Sequence, residues 1–252
     1  MVSRSAYPGV EFYLAGSEPN RRGFVANKKA DSAAVLVGGF KTFLDAYDRD
    51  CPFTRHGQLQ YHVETIHHRR RLGSAKAALN DEVFQRSLYR TLQAWGIGSR
   101  ASTLRPFSDF VVALQAKAEA IEELDGLAID QPTLDAGVVG GKLARLTQSL
   151  DIVGNKTRIV PGSKTLHHLL PDLVVPIDRE YTQRFFEWAN PTFQNFPERC
   201  FKEAFTSFAA IARAANVGQH VTGHAWYTSR SKVIDNAIVG LWCWVKAKLW
   251  TS

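Results

Sequence analysis

Apolar side chains recur every three to four residues along most of the chain, which is the spacing of one face of an α-helix. The longest such face consists of Val233, Ile234, Ala237, Ile238, Leu241, Trp242, Val245 and Leu249. Shorter faces of the same kind occur within residues 35–47, 84–95, 107–124, 143–150 and 201–211. The period-two alternation of a half-buried strand is nearly absent. The pattern predicts an all-α fold with roughly eight to eleven helices.

The first part of the chain lacks this pattern and is interrupted by Pro8, Gly9, Gly16, Pro19 and Gly23. We therefore predict an N-terminal arm over residues 1–30, followed by a helical region over residues 31–252. Asn80 or Asp81 is suited to cap the helix that carries the 84–95 face. Pro191 and Pro197 are predicted to bracket a loop.

The composition restricts the class of protein. The chain has 252 residues, of which 45% are hydrophobic and 22% charged, which is enough for a substantial core. Lys and Arg number 31 against 24 Asp and Glu, so the formal net charge is +7. A basic protein of this kind either binds a polyanion or is merely kept soluble by its charge, and charge alone does not decide between the two.

The three cysteines are sparse, and none forms a Cys-x-x-Cys spacing. We therefore predict no disulfide framework and no zinc or iron–sulfur site, and a reducing cytoplasmic location. No segment has the length of apolar sequence that a membrane span needs, and the N-terminus lacks the apolar core of a signal peptide. The protein is expected to act as a monomer away from membranes.

One segment, from Val160 to Tyr181, is more specific than the rest of the chain. Pro161, Gly162 and Ser163 predict a tight turn that leads into a helix beginning at Lys164. Backbone N–H groups of such a turn and of the following helix start attract a phosphate. Gly162, Ser163 and Thr165 are therefore candidate DNA contacts.

The same segment carries a single carboxylate after a long apolar run. The predicted helix stops at Pro171, and Asp178 follows Pro176 at a distance of fourteen residues from Lys164. An isolated carboxylate in apolar surroundings is costly unless a partner or a task accounts for it. The alternative is that Asp178 caps a helix, which is compatible with a catalytic role.

These residues resemble the helix-hairpin-helix DNA glycosylase superfamily, which includes the endonuclease-three-like and 8-oxoguanine glycosylases. The Pro161-Gly162 hairpin, Lys164 and Asp178 match the family's motif in order, over about residues 152–190. Ser163 stands where the family usually has a second glycine, and the interval from lysine to aspartate is shorter than usual. The chain therefore looks like a divergent branch, and such branches are associated with damaged or hypermodified bases, including those of phage DNA.

The resemblance implies a two-lobed fold. The first lobe would hold the central helices of about residues 58–190, with the helix-hairpin-helix at 152–178. The second lobe would combine residues 31–57 with residues 191–252. It also implies an enzyme that cleaves the N-glycosidic bond of a base flipped out of double-stranded DNA, in repair or in defence against phages.

The roles of the two motif residues follow from the same resemblance. Asp178 would stabilise the positive charge that develops on the sugar as the base leaves. Lys164 would attack C1′ and form a Schiff base, which adds an abasic-site lyase activity. The alternative for Lys164 is a phosphate contact.

A flipped base needs a pocket with aromatic faces and polar edges. The candidate pocket residues are Trp226, Tyr181, Trp95, Arg100 and His224. Core packing is the alternative for Trp95 in particular.

Phosphate contacts are expected from the basic residues Arg69, Arg70, Arg71, Lys156, Arg158 and Lys232. The alternative for each is a solvated surface. Adjacent His167 and His168 point in different directions on a helix, and glycines interrupt the segment of His220 and His224. The sequence therefore predicts no metal and no cofactor.

Two other functions are compatible with these features. One is a transferase that modifies a base on the same fold, and the other is a DNA-binding module without catalysis.

Overall fold

The computed structural model describes residues 32–55, 57–98, 102–154 and 158–250, with the Trp250 side chain left out. The predicted N-terminal arm, Arg100 and Lys156 lie outside the described residues. The described helices are α1 (residues 32–38), α2 (Phe40–Asp50), α3 (Gln58–Arg71), α4 (Ala75–Asn80), α5 (Glu82–Ala94), α6 (Phe107–Gln115), α7 (Ala118–Glu122), α8 (Ala136–Ser149), α9 (Ile159–Leu169), α10 (Thr182–Phe185), α11 (Asn190–Asn195), α12 (Pro197–Ala214) and α13 (Arg230–Trp250).

The all-α prediction is confirmed, although the described residues form thirteen α-helices and not the predicted eight to eleven. The described residues contain no strand, and the only extended pairing among them is an isolated antiparallel bridge between Leu104 and Val153. No helix in the described ranges combines the length and the apolar character that crossing a membrane requires.

Several helix starts follow from local side-chain chemistry. The carboxylate of Asp81 accepts a hydrogen bond from Phe84 N at 2.6 Å and caps α5, so the predicted cap is Asp81 and not Asn80. Asp135 caps α8 in the same way by accepting from Val138 N at 2.9 Å. These caps satisfy backbone donors that the helix itself leaves unpaired.

Two local predictions are wrong. The 107–124 face belongs to two helices, α6 and α7, because residues 116 and 117 interrupt the helix between them. The predicted loop between Pro191 and Pro197 is the short helix α11, which has proline at its start, where the missing N–H group costs no helical hydrogen bond.

The two ends of the described chain pack against each other, because α13 lies along α2. A Cβ atom at Gly240 would overlap the carbonyl oxygen of Phe43, so this crossing requires glycine. On the other side of the core, α12 packs against α8, and α3 packs against α5. The contact between α2 and α13 agrees with grouping residues 31–57 with the C-terminal helices. The division into two lobes stays a prediction.

The predicted hairpin turn at Pro161–Ser163 is wrong. These residues lie inside α9, which begins at Ile159, so Lys164 is in the interior of the helix and not at its start. Pro161 is in the first turn, where its missing N–H group is tolerated. A Cβ atom at Gly162 would meet the carbonyl oxygen of Thr147 at 2.7 Å, so this glycine lets α9 pack closely against α8. As predicted, the helix ends before Pro171.

Candidate active site

A pocket with about 380 Å³ of unfilled space opens between α9, α13 and the ends of α3 and α5. This space includes open solvent at the mouth of the pocket. The pocket is lined by Phe53, Gln58, Trp95, Lys164, Pro176, Asp178, Trp226, Lys232 and Asp235. Aromatic side chains and four charged groups therefore face a single space.

Asp178 reaches the pocket at the end of a buried apolar segment, residues 173–177. One carboxylate oxygen, Oδ1, accepts hydrogen bonds from Tyr181 N at 2.6 Å and Thr182 N at 3.2 Å, so the side chain also caps α10. None of the described residues donates a hydrogen bond to Oδ2. The capping contacts fix the orientation of the carboxylate while the second oxygen stays available.

Burial raises the pKa of Asp178, and the neighbouring carboxylate of Asp235 raises it further. Lys164 and the two backbone donors lower the pKa of Asp178, but they do not outweigh the desolvation. Keeping Asp178 ionised therefore lowers the stability of the folded protein, as is common for groups that act on a ligand.

Lys164 lies beside Asp178 because a side chain links the two segments that carry them. The hydroxyl of Ser163, which is adjacent to Lys164, accepts a hydrogen bond from Ile177 N at 3.0 Å. The Lys164 ammonium donates to Trp95 O at 3.2 Å. Burial lowers the pKa of Lys164, although Asp178 and Asp235 act in the opposite direction. The lysine and the aspartate of the sequence motif thus meet in one pocket, although through a different local structure.

A second lysine and a second aspartate complete the pocket from α13. Lys232 is only 1% exposed, and its ammonium donates to Asp235 Oδ2 at 2.5 Å and to Asn236 Oδ1 at 2.9 Å. The same ammonium lies 4.7 Å from the ring centroid of Trp226 and 5.4 Å from that of Phe53. The prediction of Lys232 as a surface phosphate contact is therefore wrong, because the side chain is buried in the pocket wall.

Of the predicted base-pocket residues, Trp95 and Trp226 line the pocket. Tyr181 does not line it, since it is buried behind Phe53 with the two ring centroids 6.1 Å apart. His224 is exposed on the loop before Trp226 and is outside the pocket. The structure therefore brings together two of the five predicted pocket residues, and Arg100 is not described.

The predicted phosphate contacts of the motif are wrong. Gly162, Ser163 and Thr165 are buried in α9, and their backbone groups belong to the helix. The Ser163 hydroxyl is bonded to Ile177 N and Val160 O, and the Thr165 hydroxyl donates to Pro161 O at 2.9 Å. These side chains hold the segment together and do not face DNA.

The three arginines of α3 that were predicted to contact phosphate differ in their exposure. Arg69 is buried, forms an ion pair with Asp125 and donates to Leu169 O at 2.8 Å, so its prediction as a DNA contact is wrong. Burial lowers the pKa of its guanidinium, and the carboxylate of Asp125 opposes that shift. Arg70 and Arg71 are exposed on the same helix, although Arg70 donates to Thr228 O at 2.6 Å.

Arg158 is also bound within the protein. Its guanidinium donates to Asp151 Oδ1 at 2.6 Å and to Gln148 O at 3.1 Å, and about a quarter of the side chain, 27%, is exposed. The side chain thus fixes the N-terminal end of α9 to the end of α8.

Three histidines lie buried directly behind the aromatic wall. His62, His167 and His168 each offer a ring nitrogen, and these nitrogens lie within 4.8 Å of one another. The His62 ring is 5.2 Å from the Trp95 ring and 5.4 Å from the Trp226 ring, measured between centroids. The sequence argument considered only His167 and His168 and missed His62, which comes from α3.

Sequence reasoning also missed Asp235, Phe53 and Gln58. Asp235 had a usable signal, because Lys232 and Asp235 are spaced by three residues at the start of α13, just before its apolar part. Phe53 and Gln58 had none, since each reaches the pocket only through the tertiary packing of α2 and α3.

The chain matches no model of a known protein family, and no match to it was found among curated proteins or solved structures. The functional conclusion therefore rests on the pocket itself.

Proposed function

We propose that this protein is a DNA glycosylase that cleaves the N-glycosidic bond of a damaged or modified base flipped out of double-stranded DNA. The observation that carries this proposal is the meeting of Asp178 and Lys164 in a pocket walled by Trp95 and Trp226. The two charged groups are the ones that the sequence resemblance assigns to the reaction, although Pro161-Gly162 lies inside α9 and does not form the hairpin of that motif.

The aromatic walls suit an unstacked base. A base that leaves the duplex loses its stacking energy, and flat aromatic faces restore part of it. Trp95 and Trp226 lie with ring centroids 6.3 Å apart at an angle of 46°, so they form two sides of the pocket and not a parallel clamp. Lys232, Asp235 and Gln58 supply donors and acceptors for the edge of the base. A polar base suits this lining better than an apolar one.

The chemistry proposed for Asp178 is electrostatic. As the bond between C1′ and the base lengthens, its electron pair leaves with the base and positive charge develops on the sugar. The Oδ2 atom of Asp178 stabilises that charge, and it orients a water molecule that attacks C1′ and gives its proton to the carboxylate. The backbone hydrogen bonds to Oδ1 hold the carboxylate in place, so little reorganisation is needed during the reaction.

Lys164 carries the proposed lyase activity. A neutral Lys164 amine attacks C1′ in place of water, and the sugar ring then opens to give an imine that permits strand cleavage. Burial, which lowers the pKa of Lys164, favours the neutral amine. If the enzyme only hydrolyses the glycosidic bond, Lys164 instead supplies a positive charge in the pocket.

Double-stranded DNA is the proposed partner, and the net charge of +7 supports attraction to phosphate. Of the predicted contacts, Arg70 and Arg71 on α3 are exposed. We further propose that the protein acts as a monomer in the cytoplasm, and that its role is either repair or removal of hypermodified phage bases.

The decisive test is base release from a panel of duplexes with damaged, mismatched and phage-type modified bases, read by mass spectrometry. We expect release of one class of base and a loss of about 10²–10³-fold in rate for Asp178→Asn. The matched control is Asp135→Asn, which alters another aspartate cap, on α8, and should keep the activity.

Other outcomes would assign another function. If no duplex of the panel loses a base while a second substrate is consumed, the protein is a transferase on the base. If Asp178→Asn binds duplex DNA as well as the wild type does and neither releases a base, the protein is a binding module. Lys164 is tested separately by borohydride trapping on abasic DNA, which Lys164→Gln should abolish if the imine forms.

A further inference from the structure

The three buried histidines form a cluster that the glycosylase proposal does not use. His62 comes from α3, and His167 and His168 come from α9. The ring centroids are 5.5 Å apart for His62 and His167, 5.2 Å for His62 and His168, and 5.0 Å for His167 and His168. Three imidazoles bound to one tetrahedral ion at about 2.0–2.1 Å have ring centroids about 5 Å apart. The spacing of the rings therefore matches a shared ion, although the rings of His62 and His167 are stacked at 11° and have to turn for both lone pairs to point at it.

Hydrogen bonds decide which nitrogen of each α9 histidine is free. His168 Nδ1 lies 2.8 Å from Lys164 O, and His167 Nδ1 lies 2.9 Å from Val174 O. A carbonyl oxygen only accepts, so in both neutral rings Nδ1 carries the proton. The lone pair is then on Nε2 in both. His167 Nε2 is buried and has no hydrogen-bond partner among the residues that the structure describes.

His62 completes the set from the opposite helix. Its Nε2 lies 2.8 Å from Thr228 Oγ1, and its Nδ1 lies 3.1 Å from His168 Nε2. Without an ion, the proton on His62 Nδ1 bridges to the lone pair of His168. When the proton is on Nε2 instead, it is donated to the Thr228 hydroxyl, and Nδ1 is free to bind a metal.

We propose that His62, His167 and His168 bind a zinc ion. Imidazole nitrogen is a preferred zinc ligand, and each ring then has its second nitrogen bonded to an oxygen, as is usual around metal-bound histidines. The absence of carboxylate oxygens from this set argues against magnesium and calcium. Ion binding needs only the proton shift between the two nitrogens of His62, so no proton is released.

The surroundings are consistent with ligands that are neutral at pH 7. Burial lowers the pKa of all three histidines, to about 4 in the case of His168. His168 further lowers the pKa of His62 and of His167, and His167 lowers the pKa of His62. Lys232 and Lys164 are the cations that act on the cluster. Asp235 balances the charge of Lys232 at 2.5 Å, and the carboxylates of Asp178 and Asp235 act on Lys164.

Some adjustment accompanies binding. Tetrahedral coordination places ligand nitrogens about 3.3 Å apart, a distance that His62 and His168 nearly have. The nitrogens of all three residues lie within 4.8 Å, so the third ring moves inward. The bound ion would join α3 to α9 behind Trp95 and Trp226 and would fix the wall of the pocket.

The wild-type protein supplies the first test, which needs no variant. Metal-free protein is titrated with zinc in competition with a chromophoric chelator, and cobalt absorption then reports the coordination. We expect one ion per chain with a Kd of about 1 µM or tighter, and a higher melting temperature with zinc. If the wild type binds no stoichiometric zinc, the proposal is wrong. Binding of monovalent copper alone would also overturn the assignment to zinc.

Substitutions of the histidines test which of them bind the ion. His62→Gln and His167→Gln should each weaken zinc binding by about 100-fold, whereas the control His224→Gln, at an exposed histidine, should not change it. Equal loss in the control would contradict the proposal. Asp178→Asn should bind zinc like the wild type, so failure of the zinc site and failure of the glycosylase proposal are separate results.

Discussion

Two lysine–aspartate pairs line the same pocket, and they are bonded in different ways. On α13, Lys232 and Asp235 form a close ion pair within one helix. Lys164 and Asp178 come from different segments and form no ion pair with each other, since Lys164 donates to Trp95 O and Asp178 accepts from two backbone groups. The first pair is satisfied by its own partners. The second keeps bonding capacity that is directed into the pocket, which is where a ligand can use it.

The largest expected effect is the difference in stability between a variant of Lys232 and the same variant of Lys164. Lys232→Met leaves the buried carboxylate of Asp235 without its partner and should lower the free energy of unfolding by about 3–5 kcal/mol. Lys164→Met removes one hydrogen bond to a carbonyl and should cost only about 0.5–1.5 kcal/mol. Chemical denaturation of both variants measures this contrast.

The double variant Lys232→Met, Asp235→Leu provides the control for that contrast. Because it removes both charges together, it should recover most of the stability that Lys232→Met loses. Equal losses in the Lys232→Met and Lys164→Met proteins would show that the two pairs do not differ as described.

Asp178→Asn should change the free energy of unfolding in the opposite direction and by a smaller amount. Asparagine keeps the capping acceptor but removes a buried charge, so the variant should be more stable than the wild type at pH 7 by about 0.5–2 kcal/mol. The pKa of Asp178 is raised in the folded state, so the folded protein binds that proton more tightly than the unfolded chain does. The advantage of the variant should therefore shrink as the pH falls through the raised pKa.

Thermal unfolding of the wild type and of Asp178→Asn from pH 7 to pH 4 checks this expectation. If Asp178→Asn is less stable than the wild type at pH 7, the carboxylate is a structural cap and not a group held at a cost.

The smallest expected effect is a shift of the pH profile. In the proposed reaction base release requires ionised Asp178, so activity should fall with decreasing pH at a value above the ordinary carboxyl pKa of 3.8. Asp235 is the second cause of the raised pKa, after burial. Asp235→Asn should therefore move the acid limb of the profile to lower pH, whereas Glu180→Gln, an exposed neighbour, should leave it in place.

The sequence alone determined the helical class of the fold and part of the pocket. The 3.6-residue period indicates which face of each helix is buried. This is a local property that does not depend on how the helices are arranged. The cap of α5 was assigned to Asn80 or Asp81 on the same local basis, and the structure shows that it is Asp81. Asp178 stood out because a lone carboxylate after an apolar run is unusual wherever the chain goes.

Tertiary structure decided what the local signals left ambiguous. The sequence Pro161-Gly162 is compatible both with a tight turn and with the first turn of a helix. Only the close approach of Thr147 shows that the glycine serves helix packing. The pairing of His62 with His168 spans 106 residues, and no periodicity reports such a distance. Helix faces can be inferred from the order of the side chains, but the partner of a polar group depends on which helices meet, and that is settled only when the whole core packs.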